Sequence, residues 1–234
     1  MANFPRYAIY YAPERGSVLE RFGAAVLGYD AHQGIDVPFP PWTELPPDWR
    51  ELTQDPRKYG FHATLKPPMT LAPGKREGDL IAACEAFAKA PRAIAMIKPV
   101  VETISGFVAI VAAAAPPDLE RLAADCVRAF EPFRAPLKEE DRARRNPSQL
   151  TPRQSDYLDR WGYPYVFEEF RFHMTLTGRV DASRRAAVLE MLQDRFRDSG
   201  VNCLSIDRIV LFRQDDRDQR FHVIGEWLLQ SASG

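Results

Sequence analysis

One five-residue pattern occurs twice in the sequence, and this repetition constrains the fold more than any other feature. Phe61-His62-Ala63-Thr64-Leu65 and Phe172-His173-Met174-Thr175-Leu176 both have the form F-H-x-T-L. Their histidines are 111 residues apart, which is close to half of the 234-residue chain. The chain has only four histidines, so such a match rarely arises by chance. Because self-similarity at a long period marks an internal repeat, we predict a duplicated chain with one histidine-bearing strand in each half.

The elements predicted around the two patterns follow the same order, a strand with the histidine, a helix and two strands. Predicted helices span residues 18–27, 79–90, 117–130 and 184–196, and predicted strands span residues 7–11, 59–66, 94–104, 107–113, 169–176, 204–212 and 221–229. Pro67 and Pro68 are expected to end the first histidine strand. The expected fold is α+β, a single bilobal domain with a first lobe at about 6–130, a crossover at about 134–169 and a second lobe at about 170–230.

Strand periodicity predicts which side chains lie beside the two histidines. Residues i and i+2 of a strand project to the same side. His62 and Thr64 therefore share a face, and the alternate residues of both patterns are apolar and should face the core. On this reasoning the polar faces consist of His62, Thr64 and Lys66 in the first strand, and of Arg171, His173, Thr175 and Thr177 in the second. If the halves pack about a pseudo-twofold axis, these two faces meet across one cleft.

Two opposed imidazoles suit an in-line displacement at phosphorus. A neutral imidazole removes a proton from the attacking water or hydroxyl, and a protonated one donates a proton to the leaving oxygen. The hydroxyls of Thr64 and Thr175 can donate to the non-bridging oxygens, where charge develops. Lys66, Arg171 or Arg179 could add positive charge. Such a site needs neither a metal nor another cofactor.

Other interpretations of the histidines carry less weight. Each could be a half-buried strand residue whose hydrogen bonds are satisfied by threonine, but two copies in matching contexts favour function. A catalytic zinc site requires three protein ligands, and neither pattern supplies a second ligand at i+2 or i+4. His32 and His222 lie outside the repeat and are expected to be surface or structural residues.

The paired motifs resemble those of the two-histidine (2H) phosphoesterase superfamily, which includes RNA 2′,3′-cyclic phosphodiesterases. The motif there is H-x-[ST]-apolar, twice. The sequence around the motifs resembles that of a branch associated with bacterial phosphonate utilisation. The segments that carry this resemblance are Arg6-Tyr7-Ala8-Ile9-Tyr10-Tyr11, Tyr59-Gly60-Phe61-His62-Ala63-Thr64-Leu65-Lys66-Pro67-Pro68, Trp161-Gly162-Tyr163-Pro164-Tyr165-Val166 and Phe170-Arg171-Phe172-His173-Met174-Thr175-Leu176-Thr177-Gly178. The resemblance extends over about residues 6–228.

This resemblance implies a bilobal α+β fold in which antiparallel sheets with outer helices form a central cleft. It also implies metal-independent opening of a small cyclic phosphodiester, such as a nucleotide or ribose cyclic phosphate or a phosphonate-derived ester. His173 would activate water, and His62 would protonate the leaving group. Tyr10 is expected beside the cleft, either as a ligand of phosphate or sugar or as a packing residue of the sheet.

Composition excludes some other classes of protein. With 31 basic and 32 acidic residues the formal net charge is −1, so no global positive field attracts long nucleic acids or membranes. No apolar run is long enough for a membrane span, and the first residues lack a signal-peptide pattern, so a cytoplasmic location is expected. Cys84, Cys126 and Cys203 are dispersed, which predicts reduced thiols. A nucleotide- or RNA-binding module without turnover and a structural partner of other enzymes remain alternatives, and the oligomeric state stays open.

Overall fold

The computed structural model describes residues 4–143 and 147–232. The strands within these residues are β1 (Arg6–Tyr11), β2 (Tyr29–Asp30), β3 (Ile35–Asp36), β4 (Ala63–Met69), β5 (Ala95–Ile97), β6 (Pro99–Ile104), β7 (Phe107–Ala112), β8 (His173–Arg179), β9 (Leu204–Ile206), β10 (Arg208–Gln214) and β11 (His222–Leu228). The α-helices are α1 (Val18–Leu27), α2 (Trp49–Leu52), α3 (Gln54–Arg57), α4 (Glu77–Lys89), α5 (Pro117–Phe130), α6 (Glu139–Ala143), α7 (Pro152–Trp161) and α8 (Ala182–Asp198). None of the described helices combines the length and the apolar character that crossing a bilayer requires.

Seven strands form one antiparallel sheet in the order β11-β10-β1-β4-β8-β7-β6. The predicted α+β class with antiparallel pairing is confirmed. The sheet portions of the two halves meet along β4 and β8, where Ala63 pairs with Met174. Two small two-stranded sheets, β2-β3 and β5-β9, complete the strand pairing of the described residues.

The sheet does not keep the strands of the two halves of the chain apart. The late strands β10 and β11 extend the half that contains β1 and β4, whereas the earlier hairpin β6-β7 pairs with β8. The contiguous lobes predicted at 6–130 and 170–230 did not include this exchange. Because β1 and β8 occupy both edges of β4, each hairpin adds to the outer edge of β1 or of β8, and each joins the strand from the other half of the chain.

Four helices cover one face of the sheet. The apolar residues of α1, α4, α5 and α8 form the main core with the strand residues that point toward them, among them Ile9, Leu65, Ile110 and Leu176. A smaller cluster around Tyr10 and Phe212 lies on the opposite face, which is free for a cleft.

Local signals placed several elements correctly. Helix α1 begins after Ser17, whose hydroxyl accepts from the Glu20 amide, and ends at Gly28 in the left-handed region at φ 70°. Helix α5 begins with Pro117 at its first position and has the predicted bounds.

Strand β4 does not end at the prolines, contrary to expectation. It continues through Pro67 and Pro68 to Met69, with register shifts against β1 on both sides of the Ile9–Lys66 pair. Bulges tolerate residues that cannot donate to the ladder, so the strand can pass through both prolines.

Candidate functional site

The pairing of β4 with β8 brings the two H-x-T motifs together. Ala63 and Met174, the middle residues of the motifs, pair with each other, and both are buried in the helix-side core. The flanking His62, Thr64, His173 and Thr175 therefore face the other side, where all four line one cleft of about 350 Å³. In this antiparallel register His62 lies across from Thr175, and the two histidines are diagonal neighbours. Such neighbours are typically about 7–8 Å apart between Cα atoms, which leaves room for a phosphate group between the rings.

Both imidazoles are anchored in the same way. Nδ1 of His62 lies 2.8 Å from the carbonyl oxygen of Gly60, and Nδ1 of His173 lies 2.8 Å from that of Arg171. In each case the acceptor is two residues upstream. A carbonyl can only accept, so Nδ1 carries the proton and Nε2 is left for chemistry. The cleft thus contains two rings of fixed tautomer.

His62 has an apolar environment. Its ring stacks on that of Tyr10, with the ring centroids 3.8 Å apart. The ring centroids of Tyr59 and Phe212 lie 6.2 and 6.0 Å from that of His62. Burial is the main cause that lowers the pKa of His62 to about 4. The hydrogen bond to Gly60 opposes this shift, and the nearby His173 reinforces it. His62 is therefore a neutral base at neutral pH.

His173 is less shielded. Phe107 is its aromatic neighbour, with ring centroids 5.8 Å apart. Burial lowers the pKa of His173 below its usual 6.5, and its hydrogen bond to Arg171 counteracts part of the shift. The two rings are chemically alike but differ in their surroundings.

Three threonines add hydroxyls around the histidines. Thr64 Oγ1 lies 3.3 Å from Nε2 of His62, within donating distance of that nitrogen. Thr175, which lies between His173 and Thr177 in the sequence, also lines the cleft. The hydroxyl of Thr177 is committed elsewhere, because it accepts from the Val108 amide and donates to the carbonyl of Gly178. Thr64 and Thr175 remain as candidate phosphate ligands.

Lys66 does not lie in the cleft, and its predicted place beside His62 and Thr64 is wrong. Tyr10 pairs with Thr64 but the preceding Ile9 pairs with Lys66, so Leu65 is an extra residue in β4. This bulge turns Lys66 to the helix side. There it is fully buried and ion-paired with Glu131, and it donates to the Val127 carbonyl at 3.2 Å. Lys66 is a structural residue.

Three arginines border the site. Arg179 lines the cleft as predicted. Arg171 lines an adjoining chamber of about 430 Å³, which shares Thr64, Phe107 and His173 with the cleft. Arg6 also lines the cleft but was not among the predicted site residues. Period-two alternation along β1 could have found Arg6, since it shares the face of Tyr10.

The charge of the site is more positive than that of the chain. Within the described residues, none of the three arginines forms an ion pair with a carboxylate, whereas Asp55 and Glu169 are the acidic residues that line the two cavities. Asp55 pairs with Lys58 at 3.7 Å, and Glu169 accepts from the Gln154 side chain. No group of three His, Cys, Asp or Glu side chains within these residues is arranged to bind a metal ion. The arrangement favours an anionic ligand.

Two non-glycine residues with positive φ line the adjoining chamber, Ser105 at 47° and Phe167 at 53°. At Ser105 this conformation is the one that the two-residue turn between β6 and β7 requires. Phe167 lies outside such a turn, and strained backbone of this kind concentrates at ligand sites. Several aromatic residues around it, Tyr163, Tyr165 and Phe170, also line the chamber.

Residues 64–222 match a protein family described as "Protein of unknown function (DUF1045)". The chain belongs to this family. Two curated relatives, each named ribose 1,5-bisphosphate phosphokinase PhnN, are similar to this member of the family. The one from Janthinobacterium sp. (strain Marseille) is 39% identical over 180 residues, which is 75% of this chain and 39% of that protein. The one from Laribacter hongkongensis (strain HLHK9) is 29% identical over 234 residues, which is 97% of this chain and 53% of that protein. The chain thus spans about half of these relatives or less.

Among solved structures, the crystal structure of E. coli LigT complexed with NADP+ aligns with 98% of this chain and 100% of its own. The TM-score is 0.43 and the sequence identity is 13%.

Proposed function

We propose that the chain is a phosphoesterase of the two-histidine type that hydrolyses a small cyclic phosphodiester of ribose. The observation that carries this proposal is the pair of imidazoles whose Nδ1 atoms are held by backbone carbonyls and whose Nε2 atoms belong to one cleft. Two such groups on either side of a phosphate supply the base and the acid of an in-line displacement. The cleft arginines attract the anion, and Thr64 and Thr175 donate to its non-bridging oxygens.

We assign the roles of the two histidines from the difference in their surroundings. His62, the more strongly shielded ring, takes a proton from water as the water oxygen bonds to phosphorus. His173 then donates the proton on its Nε2 to the sugar oxygen as the ring P–O bond breaks, which leaves a phosphomonoester. The bound phosphate raises the pKa of His173 and so supplies the protonated form. This assignment is the reverse of the one that the superfamily resemblance implied.

The names of the curated relatives support a ribose substrate. Their substrate by name, ribose 1,5-bisphosphate, is the product expected when a 1,2-cyclic phosphate of ribose 5-phosphate opens at the 2-oxygen. In those relatives, a hydrolase acting on that ester would supply the kinase with its substrate. The present chain has no G-x-x-x-x-G-K-[ST] loop in its sequence, a common ATP-binding motif, and we assign the hydrolytic step to its cleft.

The test is a panel of ribose and nucleoside cyclic phosphates assayed in the presence of EDTA. We expect hydrolysis of at least one ribose ester, and a loss in kcat of about 100-fold or more in His62→Ala and in His173→Ala. His222→Ala is the matched control, because this histidine contacts Asp215 at 3.8 Å outside the cleft. Binding of a cyclic phosphate without turnover would favour a binding module, and activity lost with the chelator would overturn the metal-independent mechanism.

The acid assignment has its own test. A p-nitrophenyl phosphodiester has a leaving group that needs no proton. The His173→Ala variant should therefore retain far more of its activity on this ester than on a ribose cyclic phosphate, whereas His62→Ala should be impaired on both. The opposite pattern would return the acid role to His62.

A further inference from the structure

Arg6 is held in a fixed position at the wall of the cleft. Its Nε lies 2.9 Å from Oε1 of Gln214, and its Nη2 also donates to that oxygen. Gln214 is only 3% exposed, and its own amide donates to the carbonyl of Gln219 at 2.6 Å. The guanidinium also packs against the Phe221 ring, 5.3 Å from the centroid. A buried amide and an aromatic ring therefore orient this cation before any ligand arrives.

The charge of Arg6 is not neutralised by the described part of the protein. Two other partly buried arginines differ in this respect: Arg208 is ion-paired with Asp207 and Glu226, and Arg213 with Glu77 and Asp215. The partner of Arg6 is a neutral amide, and the hydrogen bonds to it use two of the five N–H donors of the guanidinium. The remaining donors can bind an anion, and a planar guanidinium suits the oxygens of a phosphate.

The position of Arg6 separates it from the reacting group. Ring contacts lead from Arg6 through Phe221 and Tyr10 to His62, with Phe221 and Tyr10 centroids 6.4 Å apart. Strands β1 and β8 run in the same direction, because both are antiparallel to β4. Arg6 is the first residue of β1, four residues before Tyr10, whereas Arg179 is the last residue of β8. Arg6 thus lies at one end of the cleft, with the histidines between it and Arg179.

We propose that Arg6 binds a second anionic group of the substrate, a phosphomonoester on the sugar that carries the cyclic phosphate. This inference rests on the proposed function and assigns a binding residue to the 5-phosphate of the ribose ester considered there. Gln214 is the positioning residue that orients Arg6. The second phosphate anchors the sugar at one end of the cleft while its cyclic phosphate reaches the two histidines.

A matched pair of substrates tests the proposal. One is ribose 1,2-cyclic phosphate with a 5-phosphate, and the other is the same ester after a phosphomonoesterase has removed the 5-phosphate. We expect Arg6→Ala to lower kcat/KM on the first by about 10- to 100-fold, mainly through KM, and by at least about tenfold more than on the second. Arg6→Lys should recover part of the loss, and Gln214→Leu should show a smaller loss with the same selectivity.

Three variants control for position and fold. Arg171→Ala and Arg179→Ala should not discriminate between the two esters as Arg6→Ala does, and Arg15→Ala removes an exposed arginine outside the cleft. Equal losses of Arg6→Ala on both esters would overturn the proposal, as would selective loss in Arg171→Ala or Arg179→Ala instead.

A binding measurement separates this inference from the proposed function. Ribose 5-phosphate carries the monoester alone, so it should raise the Tm of the wild-type chain and of His62→Ala, but not that of Arg6→Ala. If no cyclic phosphate is hydrolysed while this binding pattern holds, the proposed function fails and the Arg6 site stands. Equal stabilisation of wild type and Arg6→Ala would refute the Arg6 site whatever the hydrolysis assays give.

Discussion

Tyr10 should set the pKa of His62, and replacing it tests the origin of the histidine asymmetry. Burial is the largest cause of the shift from 6.5 to about 4, and the Tyr10 ring covers one of the two imidazole faces at 3.8 Å. Water reaching that face would remove about half of the shift, roughly one pKa unit. We therefore expect Tyr10→Leu to raise the pKa of His62 by about one unit, with Tyr10→Phe leaving it near the wild-type value because the stacked ring remains.

The direct assay is an NMR titration of the histidine ring C–H signals between about pH 3 and pH 9. His173 reports on the same samples, and its pKa should change less than that of His62. The kinetic counterpart is the acid limb of kcat/KM, which reflects the base of the free enzyme and should shift upward in Tyr10→Leu.

Two results would refute this reasoning. The first is a wild-type pKa of His62 at or above 6.5, since burial would then not dominate. The second is an unchanged pKa in a folded Tyr10→Leu variant, which would assign the shift to other parts of the wall. Tyr10 is almost fully buried, so a urea titration should first show that the variant folds.

Three further perturbations have defined outcomes. Lys66→Ala breaks a buried ion pair outside the cleft. It should therefore lower the free energy of unfolding, measured by urea titration, by about 3 kcal/mol or more without raising KM. A raised KM with unchanged stability would contradict the placement of Lys66. The folded pKa of His62 is below its unfolded value, so its stabilising contribution is present above about pH 6.5 and is lost as pH falls toward about 4. His62→Gln should therefore flatten the loss of stability across that window, and an unchanged slope would show that other groups cause it. Gly23→Ala places a methyl group 2.0 Å from the Phe61 ring. We expect the free energy of unfolding in urea to fall by about 1–3 kcal/mol, and kcat to fall as well because Phe61 precedes His62. Wild-type stability would show that the ring moves freely.

Much of the site could be predicted from strand periodicity alone. The alternation in F-H-x-T-L placed His62 with Thr64 and His173 with Thr175, and the structure brings all four to one cleft. The same rule failed at Lys66, because periodicity assumes a regular strand and the extra residue Leu65 reverses the side on which Lys66 projects. The sequence offered a hint in the following prolines, since residues that cannot donate are frequent at bulges.

The exchange of strands could not be predicted by comparing the halves. Local patterns identify a hairpin at β6-β7 but do not say which sheet edge it joins. That choice depends on which edges remain open after β1, β4 and β8 have paired, a long-range property of the packed chain. For the same reason Gln214, which is distant from Arg6 in sequence, gave no sign of its contact with that arginine.

The cleft combines positive charge with two histidines of lowered pKa, and this combination bears on the proposed mechanism. Burial lowers the pKa of both imidazoles, so both are neutral near pH 7, and the proposed mechanism requires His173 to gain a proton. An anionic phosphate bound between the two histidines changes this balance, because its charge next to His173 favours the protonated ring. A neutral ligand of the same shape would leave both rings unprotonated. In the proposed mechanism the substrate's own charge therefore completes the acid–base pair, and we expect catalysis only of ligands that bring a phosphate between the two histidines.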